Sequence, residues 1–174
     1  LGTAAGYEQY DEQIITNLGL PFTVVFTGSE HATTETLEQR VGLGEPVLAY
    51  WWTPTAAVKQ FDLVQVELPP RTEACAAAAV AGDGGVDCAY PEDVLFKAVS
   101  PHLAAKAPDV AEFLTGFELT TADQIGLLYR VEVEGRSVES AAGEWIAANR
   151  DRWQPTVDAA VSAGGAEDPA PTSG

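Results

Sequence analysis

GEPVLAYWWTPTAAVKQFDLVQVELP, residues 44–69, packs three element signals into one short stretch. Pro46 to Trp51 (PVLAYW) is almost continuously apolar, the pattern of a strand buried on both faces at the centre of a parallel sheet. Thr53-Pro54 reads as an N-cap with proline at the first helical position, opening a short helix through about Gln60. Asp62 to Leu68 (DLVQVEL) alternates apolar and polar residues, as a strand with one wetter face does. Strand, helix, strand in this order is the repeating unit of a layered α/β fold.

The surrounding sequence continues the alternation. Upstream, Tyr7, Tyr10, Ile14 and Leu18 recur at helical spacing, and Gly19 supplies a stop. Phe22 to Thr27 (FTVVFT) is β-branched and aromatic and reads as a strand, after which Ser29 caps a helix over 30–42. Downstream, 69–91 reads as a flexible loop rich in Ala and Gly, and Val94 to Val99 as a further strand. Beyond it the chain turns helical. Ser100-Pro101 and Pro108 punctuate two short helices, and Thr120 with Asp123 three residues on opens a third. Ser137 caps a fourth, with Val138, Ala141, Ala142, Trp145 and Ile146 on one face. From Gly164 onward GGAEDPAPTSG lacks any apolar pattern, and 165–174 is expected to be a disordered tail.

The chain of 174 residues suits one domain or two small lobes. Nine Lys and Arg against 26 Asp and Glu give a net charge of −17. That balance excludes a nucleic-acid partner, which requires clustered cations, and electrostatic attachment to an anionic membrane. It does not by itself select a cationic ligand, since excess charge also serves solubility. No apolar run is long enough to span a bilayer, and the first twenty residues lack the basic and apolar regions of a signal peptide. A chain that begins at Leu and holds no Met is expected to be a mature or truncated product.

Cys75 and Cys88 bracket CAAAAVAGDGGVDC, which has neither redox nor zinc spacing. The pair reads as a disulfide across the loop, implying an oxidising compartment, with two reduced cysteines as the alternative. Enzyme signatures are thin: His31 and His102 read as exposed surface residues, and no H-E-x-x-H, G-x-S-x-G or phosphate loop occurs. Gly82-Asp83-Gly84-Gly85 lies between the cysteines and reads as loop, while Asp11-Glu12 and Glu92-Asp93 sit at element ends, where helix dipoles or solvent explain them. No catalytic residue, metal site or cofactor is expected.

The unusual feature is Tyr50-Trp51-Trp52-Thr53-Pro54. Strand alternation sends Tyr50 and Trp52 to one face and Trp51 to the other, at the strand end where α/β sheets bind ligands. Packing of these rings into a core is the competing explanation.

Residues 44–69 resemble the glycine betaine/choline substrate-binding proteins of ABC transporters, in their C-terminal half. That family typically reads G-E-P-V-L-F-Y-x-W-T-P-H-W, followed by K-Y-D-L-V and an acidic strand. YDEQIITNLGL with Gly28-Ser29-Glu30, CAYPEDVLFKAVSPHLAAKAPDVAEFLTGFELTTADQ, and VEGRSVESAAGEWIAANRDRWQP agree with it in order, over roughly residues 7–157. The resemblance implies an α/β fold of the type II periplasmic-binding-protein kind, a partial two-lobe sandwich with parallel-rich sheets flanked by helices. Residues 1–52 then belong to the inner lobe, 53–61 to a crossover or hinge, and 62–164 to the outer lobe with its cystine loop.

It also implies an extracytoplasmic component, in the periplasm or at the cell surface, that carries a quaternary ammonium solute to a membrane permease in osmoprotection, without catalysis. Trp52 becomes a wall of an aromatic cage, with Tyr50, Trp51 and Thr53 as further contacts. Where the family has His and an aromatic after W-T-P, this chain has Thr55 and Ala56, which alters any contact made there. Family members run to nearly twice this length. An N-terminal half bearing the other cage walls, and in some arrangements a lipid anchor, is therefore expected to be missing, and the sheet edge left open invites a homodimer. A truncated or repurposed interaction or sensor domain of the same fold, without ligand transport, is the other reading.

Overall fold

The computed structural model describes residues 1–2, 7 and 9–164. They form two compact units, Leu1–Asp93 and Val94–Gly174, each considered by itself; the tail expected at 165–174 lies outside the described residues.

The first unit contains α1 (Asp11–Asn17), α2 (Glu30–Gly42), α3 (Ala56–Gln60) and α4 (Glu73–Ala81). Helix α1 is shorter than the 7–18 periodicity predicts, because Tyr10 already stands at its N-cap and Leu18 closes it. Helix α2 starts as predicted, with the Ser29 hydroxyl accepting from Ala32 N at 3.1 Å. Helix α3 begins later than Thr53-Pro54 suggests: Thr55 is its N-cap and Ala56 its first residue, while the Thr53–Pro54 peptide is cis.

Helix α4 corrects the reading of 69–91 as loop throughout. Thr72 caps it, its hydroxyl accepting from Cys75 N at 3.2 Å, and Gly82 ends it in the left-handed conformation at φ 64°. A run of alanines carries high helix propensity but no apolar period, so a search for amphipathic spacing passes over it. Cys75 on α4 is joined to Cys88 by a disulfide. Both half-cystines are buried with Ile14 of α1 and Val86, and Leu18, Leu68, Ala79, Tyr10 and Tyr90 pack around them. The Gly-rich turn is pinned rather than free, for Asn17 Nδ2 donates to Gly84 O and Val86 O, both at 2.9 Å.

Among the described residues the segments expected as strands, 22–27, 46–51, 62–68 and 94–99, form no β-ladder, and Asp62 begins its segment in a turn at φ 51°. Individual backbone bonds do occur: Gly2 N donates to Val25 O at 3.0 Å and Tyr50 N to Leu1 O at 2.9 Å. Gly2 is where the backbone requires glycine, since a Cβ there would stand 2.5 Å from Val24 Cγ1 and 2.7 Å from Phe26. The burial expected of 46–51 is only partial, with Leu48 exposed and Tyr50 and Trp51 half-buried. Leu1 bonds to this run through its backbone, its N donating to Leu48 O at 2.7 Å and its O accepting from Tyr50 N.

The second unit is helical: α5 (Leu103–Lys106), α6 (Pro108–Gly116), α7 (Thr121–Glu132), α8 (Val138–Ala148) and α9 (Arg150–Gly164). Pro108 opens α6, and Ser137 caps α8. Thr120 and Asp123 form a reciprocal capping box on α7. On α8 only Ala141 and Trp145 of the predicted face are buried, whereas Val138 and Ile146 are exposed. Helix α9, with Pro155 inside it, extends beyond the predicted helices and packs along α6, where Gly116 lets Thr156 approach to 3.0 Å of a would-be Cβ.

One carboxylate joins three of these helices. Asp123 accepts from Thr120 N and Oγ, from Trp145 Nε1 at 3.0 Å, and from both terminal nitrogens of Arg152 at 2.8 and 2.6 Å. The Arg152 fork holds its carboxyl well below the usual carboxylate range, assisted by Thr120 and Trp145. The Arg152 guanidinium also lies over the Trp145 ring, 5.4 Å from its centroid.

Candidate aromatic ligand site

The first unit gathers Tyr7, Tyr10, Tyr50, Trp51, Trp52 and Tyr90 into one connected set of rings. Tyr50 lies 6.3 Å from Trp52 and 4.8 Å from Tyr90, centroid to centroid. Tyr7 stacks on Trp52 at 5.4 Å, and Tyr10 meets Tyr90 at 5.5 Å. The three residues of the Tyr50–Trp52 run are half-buried, as are Tyr10 and Tyr90, and Tyr7 is exposed. Rings in this condition are partly wet. A well-packed core would cover them fully.

Trp51 and Trp52 depart from strict strand alternation. Their rings stack at 5.0 Å with planes 18° apart, so both indoles belong to one assembly. The cause is local: Trp51 Nε1 donates to Thr55 Oγ1 at 2.7 Å, drawing the indole back over the turn toward α3. Thr55 thus orients a ring. Thr53 is exposed beside the cluster.

Tyr7, Tyr10 and Tyr90 escape a reading of the sequence because they approach Tyr50 and Trp52 from some 40 residues away on either side. The available signals were the helix-spaced Tyr7 and Tyr10, and Tyr90 two residues past Cys88. The Tyr90 hydroxyl donates to Asp11 Oδ1 at 2.9 Å and accepts from Tyr10 N at 3.0 Å. Burial pushes this hydroxyl far above the ordinary tyrosine value, and the Asp11 charge adds to the rise. His31 is exposed and pairs with Glu35 at 3.5 Å; it lies outside the cluster's ring contacts, as does the exposed His102.

Residues 1–148 match the family model described as the substrate-binding domain of ABC-type glycine betaine transport systems. The chain belongs to this family. Its members are binding domains, not enzymes. The trimethylamine N-oxide-binding protein of Pelagibacter ubique (strain HTCC1062) is 28% identical over 138 residues, covering 79% of this chain. The chain spans 43% of that relative's length. No helix among the described residues of this family member is long and apolar enough to cross a membrane.

Proposed function

We propose that this chain is part of the extracytoplasmic solute-binding component of an ABC importer, and that it holds a methylated ammonium or amine-oxide solute for delivery to a membrane permease. Trp52 supplies the principal ring face, Tyr50 and Trp51 flank it, and Thr53 offers a polar contact. The observation that carries this reading is the connected, half-exposed set of rings around Trp52. A fully methylated nitrogen has no N–H to donate, so carboxylates cannot hold it by hydrogen bonds. Aromatic faces attract it through their quadrupoles, at about 0.5–2 kcal/mol each, and tolerate its methyl groups. The Cys75–Cys88 disulfide is in keeping with an oxidising, extracytoplasmic compartment. The family's two-lobe, sheet-containing architecture, with 1–52 and 62–164 in different lobes and 53–61 as the crossover, belongs to the same proposal.

Tryptophan fluorescence of the full-length protein, titrated with glycine betaine, choline, carnitine, proline betaine and trimethylamine N-oxide, tests it. A saturable change with at least one of them is the expected result. Silence from all five in a folded sample overturns the reading and leaves the rings as packing.

A further inference from the structure

Tyr90 is fixed in place at three consecutive residues. Cys88 is buried and bonded to Cys75 on α4. Ala89 N donates to Pro69 O at 2.9 Å, and Ala89 O accepts from Arg71 Nη1 at 3.2 Å. The Tyr90 hydroxyl is then held from two sides, by Tyr10 N and by Asp11 Oδ1. A phenol anchored at its oxygen, on a backbone anchored just before it, has little freedom to swing its ring. That ring stands 4.8 Å from Tyr50 with planes 59° apart, so Tyr50 leans on a fixed support. Tyr50 in turn meets Trp52, centroids 6.3 Å apart.

We propose that Tyr90 is a positioning residue for the ligand site: clamped by Asp11, Tyr10 and the cystine, it sets the orientation of Tyr50 and, through it, the affinity for the methylated solute. This rests on the proposed function. Pre-orienting a ring before the ligand arrives removes the ordering cost that binding otherwise bears. The clamp ties that pre-orientation to the cystine core, since α1 supplies Asp11 and Ile14 together.

The test uses the full-length protein and two substitutions. Tyr90→Leu removes the supporting ring and keeps apolar bulk; Tyr90→Phe keeps the ring and removes the clamp. Calorimetric titration with glycine betaine and with trimethylamine N-oxide is run beside Trp52→Leu, and the Tyr50 ring proton shifts are followed by NMR without ligand. Tyr90→Leu is expected to weaken binding by up to about tenfold, the factor that corresponds to one aromatic pair. Tyr90→Phe is expected to fall between it and the unsubstituted protein. In both variants the Tyr50 ring resonances move away from their native positions. A merely structural Tyr90 lowers the melting temperature while leaving the folded fraction's affinity and the Tyr50 resonances unchanged, and that result overturns the inference. If neither solute binds the unsubstituted protein, the titration is repeated with choline, carnitine and proline betaine, and silence from all five fails the functional reading. The Tyr50 resonances then still decide whether Tyr90 positions that ring: unmoved in Tyr90→Leu, they overturn it too.

Discussion

Trp52 and Tyr90 carry opposite demands on an aromatic side chain, and substitution separates them. A cage wall acts through its face, a core ring through its volume. Trp52→Phe keeps a face with a weaker quadrupole, so affinity is expected to fall by about 1 kcal/mol. Trp52→Leu keeps bulk and loses the face, so affinity falls further while the fold persists. Calorimetry beside thermal melts reads both, and an unchanged affinity in Trp52→Leu removes this residue from the site. Tyr90 makes its demand through the hydroxyl. Its folded-state value is raised by burial above the ordinary value of 10.0. The stability it contributes is therefore complete below pH 10 and declines above it, as the unfolded chain ionises while the folded chain keeps its proton. Denaturant midpoints followed from pH 8 to 11 should decline more steeply in the native protein than in Tyr90→Phe, about pH 10 and above. Equal slopes exclude the role.

Helices were legible in the sequence where a cap announced them. Ser29, Thr120 and Ser137 each accept from the backbone three residues on, as their spacing suggests. In α4 the Thr72 cap leads into alanines with no apolar period, and in α9 Pro155 obscures the continuation. The strand readings rested on composition, which reports a need for cover but not the partner that gives it; Val64, Val94 and Phe96 remain largely exposed. Of the aromatic site, the Tyr50–Trp52 run was visible because it is contiguous, and Tyr90 was not, because the cystine and Asp11 bring it there. The same cystine makes a prediction for α4. It closes a short loop between positions 13 apart, so reduction by a dithiol should lower stability by about 3 kcal/mol in the chain-entropy model. Urea unfolding with and without reductant measures it, and a shift below about 1 kcal/mol would mean that the Ala-rich helix and the Asn17 bonds already order this segment.

At the scale of the whole chain, 26 acidic side chains face nine basic ones. The ion pairs present are mostly surface pairs such as Arg40–Glu45 and Arg136–Glu144, whose individual worth is about 0–1 kcal/mol. Screening weakens them, but it also relieves the repulsion among the remaining carboxylates, and the excess of acids makes that the larger effect. Raising sodium chloride from about 0.01 M to about 1 M, which shortens the Debye length from about 30 Å to about 3 Å, should raise the melting temperature. A fall would place the balance with the ion pairs.

The carboxylate of Asp123 carries a consequence for how the helical unit opens. Helices that share only side-chain packing can exchange their amide protons with solvent separately, each at its own free energy. Here Thr120 N at the start of α7, the indole of α8 and the guanidinium of α9 converge on two oxygen atoms, so releasing one helix strips partners from the other two. The slowest amides of α7, α8 and α9 should therefore report a common opening energy in native-state hydrogen exchange. In Asp123→Asn, which cannot receive the Arg152 fork as a charge, α9 should separate into a faster class of its own. Three separate opening energies in the unsubstituted protein would show that Asp123 does not couple these helices.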